Sequence, residues 1–391
     1  MRTLSDNFAA FGGFRGLHGL SSTTQAPAGH LATLTDFGSN PGHLAGRFHV
    51  PAGLADQAPL VVVLHGCTQN AAGYDHHAGW SQLADEAGFA LLFPEQHSGN
   101  NPNLCFNWFR PGDTRRDAGE ALSIRQMIDA MVIAHGIDRE RIFITGLSAG
   151  GAMASVMLAT YPELFAGGAI IAGLAYGRAS SVPEAFDCMR GQRLASDEEL
   201  WALLRAASAH DGPWPRITIW QGTADHTVAP SNAEDIAAQW RSVHGLDTAP
   251  TQSETLGPRV RRRWSNADGD ILIEVNTLAR MGHGTPVGED LGTAGPYMLD
   301  VGVSSTREIA GFWGICPARD ADAQTAPPRR TTKANSPRGA NAPAKANSPA
   351  TRLAAPEAGR TPAAPRGRPQ PERSSVQKTI EDALRAAGLM R

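Results

Sequence analysis

From Ala58 to Leu64 the chain reads APLVVVL, an apolar run that ends at His65-Gly66. An apolar run without alternation predicts a strand buried on both faces, which needs helices above and below it. The same signature returns at FALLFP (89–94), RIFITG (141–146), FAGGAIIAG (165–173) and RITIWQG (216–222). Between these runs the apolar spacing becomes helical. YDHHAGWSQLADEAG ends at Gly88, DAGEALSIRQMIDAMVIAHG ends at Gly136, AGGAMASVMLATYP stops at Pro162, and a further helix is expected from about Ser231 to His244. AGRFHVP (45–51) predicts an outer strand, RVRRRWS (259–265) and DILIEVNTL (270–278) two more, and SSTREIAGFWGIC (304–316) a closing helix. Strand–helix alternation of this kind predicts an α/β fold with a mostly parallel central sheet and helices on both faces.

Two stretches break the rhythm. Residues about 174–213 exceed a simple connection between strands and are expected to form an insertion, or lid, over the C-terminal edge of the sheet. Residues 1–44 are weakly periodic and predict a poorly ordered arm, with a short helix near Phe8–Phe14. The body is therefore assigned to residues 45–317. Residues 318–374 are rich in Ala, Pro and Arg and repeat KANSP at 333–337 and 345–349. Such a composition cannot bury enough apolar surface to offset its ordering entropy, so a disordered linker is expected. Over 375–391 Val376, Ile380, Leu384 and Ala387 share one helical face, with Ser375 and Gly388 as candidate caps. That helix is expected either to dock on a partner or polymer granule or to be an inert extension.

Charge sharpens the division. The net charge of −3 conceals 14 Lys/Arg against 6 Asp/Glu from Arg319 onward, which is +8 and leaves −11 on the body. RVRRRW accordingly reads as a solvated strand face, and no nucleic-acid motif accompanies it. No run of about 18 apolar residues predicts a membrane span. The N-terminus lacks the order of a secretory leader, so cytoplasmic residence is the expectation, with an extracellular location by another route as the alternative. The four cysteines match no zinc or CxxC spacing.

The chemistry centres on Gly146-Leu147-Ser148-Ala149-Gly150, a G-x-S-x-G between a predicted strand and a predicted helix. That context is the one a nucleophile elbow requires: small flanks permit the sharp turn, and the serine stands at a helix N-terminus. A serine nucleophile needs a base and an acid that orients it. Asp225 follows the RITIWQG strand and His283 lies in a Gly-flanked loop past DILIEVNTL, in the expected order Ser148, Asp225, His283. His226, His210 and His244 are rivals; His244, at a helix end, suits a cation favoured by the helix dipole. The oxyanion donors are expected to be the N–H groups of Ala149 and, in the loop after the first buried strand, Cys67.

HGCTQN, CFNWF, GLSAGGAM, GTAD and GHGTPV together resemble the polyhydroxybutyrate (PHB) depolymerase esterases, over about residues 45–316. The resemblance implies an α/β-hydrolase fold and a serine esterase that cleaves short-chain hydroxyalkanoate esters through an acyl-enzyme. It implies Ser148, Asp225 and His283 as the triad, Cys67 and Ala149 as oxyanion donors, and no metal or organic cofactor. A feruloyl or acetylxylan esterase is the alternative within the class; a non-catalytic granule- or partner-binding protein on this fold is the alternative outside it. Cys67 and Cys105 flank the expected cleft, as a disulfide or as two buried thiols. Phe106 and Trp108 are expected either to line an acyl pocket or to be plain core. Asp117 and Glu120 open a helix, where carboxylates complement the dipole.

Overall fold

The computed structural model describes residues 30–316 apart from 194, 289 and 290. The expected helix near Phe8–Phe14, the linker over 318–374 and the helix over 375–391 lie outside the described residues.

Ten strands form one sheet: β1 (Ala32–Leu34), β2 (Ala45–His49), β3 (Leu60–Leu64), β4 (Ala90–Glu95), β5 (Ile142–Leu147), β6 (Gly167–Ile171), β7 (Arg216–Gly222), β8 (Gln252–Leu256), β9 (Arg259–Ser265) and β10 (Ile271–Leu278). Their spatial order is β1-β2-β4-β3-β5-β6-β7-β10-β9-β8. The six strands from β4 to β10 in that order run parallel, and antiparallel strands close both ends. β3 shows why the run is apolar throughout. Leu60, Val62 and Leu64 join the core on one face and Val61 and Val63 that on the other. The first face is covered by α4 (Gly119–His135), α5 (Ala149–Thr160) and α8 (Ser231–His244); the second by α1 (Ala71–Ala78), α2 (Trp80–Ala87) and α9 (Ser305–Trp313). α3 (Pro111–Thr114) is a single turn before α4. On the second face Trp313 stacks on Trp80 and on Phe143, at centroid distances of 6.3 and 4.9 Å. β11 (Thr285–Val287) and β12 (Met298–Asp300) pair in parallel apart from the main sheet.

Several expectations are corrected. Within the arm assigned to residues 1–44, the described residues 30–44 are ordered: β1 pairs antiparallel with β2, and Asn40 caps the turn into β2 through hydrogen bonds with Leu44. The helix expected over 74–88 is two helices, because Gly79 takes φ +75 and ends α1 while opening α2. The insertion folds as α6 (Val182–Met189) and α7 (Asp197–Ala206). It is fastened to α8 and its approach: Gln239 donates to the carbonyls of Tyr176 and Leu200, and the Ala229 N–H to that of Met189. β8, QSETL, was hidden because Leu256 is its one apolar residue.

The arginines of β9 are not a solvated face. Arg259, Arg261 and Arg263 are buried, and each meets a carboxylate at 2.7 Å: Glu308 of α9, Glu254 of β8 and Glu274 of β10. Val260, between them, is the exposed residue. Guanidinium groups this deep are tolerated because each is paired and hydrogen-bonded. His244 is not a cation serving the dipole. Burial lowers its pKa to about 4, and its Nε2–H donates to the Pro215 carbonyl. Desolvation outweighs the dipole here.

Candidate active site

Because β5, β7 and β10 run parallel, the loops that follow them leave the same edge of the sheet. Ser148 lies at the end of β5, Asp225 after β7 and His283 after β10. Ser148 has φ 57 and ψ −118, a conformation that costs a non-glycine residue free energy and is held from outside. Its N–H donates to the Ile171 carbonyl of β6 at 2.9 Å. The flanking glycines are required by contact. A Cβ on Gly146 would stand 2.4 Å from the Gly150 backbone, and one on Gly150 would stand 2.4 Å from the Leu64 carbonyl oxygen and 2.5 Å from that of His65. The second contact shows that the N-terminus of α5 sits directly on the end of β3, where the Cys67 loop begins.

Asp225 is fully buried, and all its hydrogen bonds are fixed in direction. Oδ1 accepts from the backbone N–H groups of Thr227 (2.9 Å) and Val228 (2.8 Å). Oδ2 accepts from Gln221 Nε2 (3.1 Å) and from His283 Nδ1 (2.8 Å). His283 therefore carries its proton on Nδ1 when neutral, which leaves Nε2 with its lone pair. Of the rival histidines, His226 is exposed, His210 bonds the Pro213 carbonyl, and His244 is held at Pro215.

The loop after β3 is built with equal care. Cys67 is joined to Cys105 by a disulfide. Gly66 N–H donates to Gln69 Oε1, Gln69 N–H to the Gly66 carbonyl, and Thr68 N–H to the Asn103 carbonyl. His65 Nε2 accepts from the Gln96 N–H, so its Nδ1–H donates to the Gly66 carbonyl. Burial lowers the His65 pKa and keeps that ring neutral.

Behind the disulfide lies a carboxylate that dipole reasoning misplaced. Glu120 does not serve the start of α4; it is fully buried, and accepts from the Asn107 N–H, Asn107 Nδ2 and Gln96 Nε2 at 2.7–2.8 Å. Burial raises its pKa to about 8, against the pull of those donors. It ties residues 96–107 to α4. Phe106 is fully buried against the His65 ring, so it presents no surface to a substrate, and Trp108 is nearly as deep. Both are core. Residues to which the sequence assigned no role but that are prominent here are Gln69, Gln96, Asn107, Gln221 and Tyr297; for Gln69 and Asn107 the Gln-Asn run of HGCTQN and the Asn-rich NNPNLCFN were the available signals, since buried amides join loops that lack ladder hydrogen bonds. Tyr297 sets its ring edge to face on the His283 imidazole, with centroids 6.1 Å apart.

The mixed sheet with helices on both faces, and a strand–serine–helix turn at its C-terminal edge, places the chain among the α/β hydrolases. The solved acetyl xylan esterase from Aspergillus awamori matches it with a TM-score of 0.64 at 26% identity, covering 74% of this chain and all of that one. The family model described as "Esterase PHB depolymerase" matches residues 44–257. The chain belongs to that family and is a carboxylic ester hydrolase. It is 47% identical to the poly(3-hydroxyalkanoate) depolymerase C of Paucimonas lemoignei over 292 residues, 73% of this chain and 70% of the relative. It is also 32% identical to an acetylxylan esterase of Coprinopsis cinerea over 270 residues, 67% of this chain and 71% of the relative.

Proposed function

We propose that the chain is a serine esterase acting on hydroxyalkanoate esters, with Ser148 as nucleophile, His283 as general base and Asp225 as its orienting acid. The observation that carries this reading is the Asp225–His283 hydrogen bond of 2.8 Å at the sheet edge that also presents Ser148 on its strained turn. Nε2 of His283 takes the Ser148 proton, and Oγ attacks the ester carbonyl. The oxyanion is received by the N–H groups of Ala149 and Cys67. In support, the amides of Gly66 and Gln69 are spent within the loop, that of Thr68 is spent on the Asn103 carbonyl, and the disulfide restrains Cys67. Collapse of the intermediate expels the alcohol, which takes its proton from His283. Water then attacks the acyl-enzyme as His283 again accepts a proton; the acyl–Oγ bond breaks, Ser148 Oγ takes that proton back, and the hydroxy acid leaves.

The higher identity to the poly(3-hydroxyalkanoate) depolymerase favours a hydroxyalkanoate over an acetylated sugar. Ser148→Ala is expected to abolish hydrolysis of p-nitrophenyl butyrate and labelling by a fluorophosphonate while leaving thermal unfolding nearly unchanged. Near-normal turnover by this variant would refute the assignment. Release of 3-hydroxybutyrate from amorphous polymer, compared with acetate release from acetylated xylan, tests the substrate class.

A further inference from the structure

Gly295 and Met298 exchange two backbone hydrogen bonds, each of 3.0 Å, and so close a four-residue turn with Pro296 second and Tyr297 third. Proline second and a positive φ third is the arrangement of a type II turn, whose third position ordinarily takes glycine or asparagine. Here it is tyrosine, at φ 61. A bulky side chain in that region is strained and persists only where its surroundings impose it. They do so on three sides. The Tyr297 carbonyl accepts from the Thr285 N–H at 2.8 Å, the Pro296 carbonyl accepts from Gln69 Nε2 at 3.3 Å, and the Met298 side chain is buried. Thr285 follows His283 by two residues, and Gln69 belongs to the Cys67 loop, so the turn bridges the two loops that would hold the base and the oxyanion. The strained position directs the ring at His283, edge to face with planes at 78°, while 44% of the residue stays open to solvent.

We propose that Tyr297 is the wall of the site for the alcohol half of the ester, and that it selects for esters whose alcohol is itself large, such as the next hydroxy acid of a polyester chain. This rests on the reading of Ser148 and His283 given above. The imidazole hands its proton to the departing alcohol oxygen, so the alcohol half lies on the His283 side and the acyl half on the Ser148 side. An exposed ring against the imidazole therefore touches the alcohol half. Deacylation, in which that half has already left, does not use it.

The test holds the acyl group constant and varies the alcohol: methyl 3-hydroxybutyrate against the linear 3-hydroxybutyrate dimer. Tyr297→Asn keeps a residue suited to positive φ and removes the ring, whereas Tyr297→Phe keeps the ring. Tyr297→Asn is expected to lower kcat/KM on the dimer by about 5- to 10-fold, the scale of one lost aromatic contact. The methyl ester, whose alcohol is too small to meet the ring, is expected to lose less, so that the preference for the dimer over the methyl ester falls about 5-fold, and Tyr297→Phe should keep the wild-type preference. Equal loss on both esters would mean that the ring merely supports His283 and would overturn the proposal, as would no loss on either. Fluorophosphonate labelling is read in the same samples. A wild-type chain that cleaves both esters without labelling at Ser148 overturns the Ser148 reading and this one with it. Labelling with unchanged selectivity overturns this one alone.

Discussion

Replacing Asp225 by asparagine tests the site through hydrogen-bond direction alone, because shape and volume hardly change. The two backbone N–H groups on Oδ1, from Thr227 and Val228, can only donate. The amide oxygen must therefore stay on that side, and the new NH2 must face His283 Nδ1 and Gln221 Nε2. Facing a donor, His283 changes tautomer: Nδ1 becomes the acceptor and Nε2 carries the proton, so the ring can no longer take one from Ser148. The expected loss is about 10³–10⁴ in kcat, or roughly 4–5.5 kcal/mol of transition-state stabilisation. Gln221 cannot turn to help, since its Nε2 also donates to the Val228 carbonyl. One buried donor is left opposed, at a stability cost of about 1–3 kcal/mol. Turnover of p-nitrophenyl butyrate between pH 6 and 9 and urea unfolding measure the two effects separately. Retention of more than about a tenth of wild-type kcat would refute the tautomer reasoning, since a base of the wrong tautomer loses orders of magnitude more.

Other outcomes follow from contacts already described. Gly150→Ala drives a methyl group into the Leu64 and His65 carbonyls at 2.4–2.5 Å; hydrolysis of p-nitrophenyl butyrate should fall at least about 100-fold, the scale of a misplaced catalytic geometry. Cleaving the Cys67–Cys105 bond, which spans 38 residues, should lower unfolding free energy by up to about 4 kcal/mol on chain-entropy grounds, measured with and without reductant. His244 stays neutral in the folded chain down to about pH 4, whereas the unfolded chain protonates near 6.5. The unfolded state thus binds the extra proton between those values, and stability falls with falling pH by up to about 1.4 kcal/mol per unit. His244→Gln should flatten that slope in urea titrations at pH 4–7.

The parallel centre of the sheet was legible because β3, β5, β6 and β7 are apolar on both faces, a pattern few alternatives share. The Ser148 turn was legible because a short motif fell between a strand signal and a helix signal. Arg259, Arg261 and Arg263 were misread because alternation shows which residues share a face, not which face is inside; that depended on Glu254, Glu274 and Glu308 arriving from three other elements. Glu120 was misread for the same reason, as its donors lie on residues 96–107. His244 followed a dipole rule that ignores how deeply a ring is packed. Local propensity also carried one helix through Gly79, where a distant segment decides the break.

That break has a use for anyone reshaping substrate preference. A Cβ on Gly79 would stand 2.7 Å from the Gly292 backbone nitrogen, and one on Gly295 would meet the His77 ring at 2.6 Å. The joint between two helices is thus the rear abutment of the segment that leads into the Tyr297 turn. Widening or filling it would act on the Tyr297 turn from behind, without changing the identity of any reacting group.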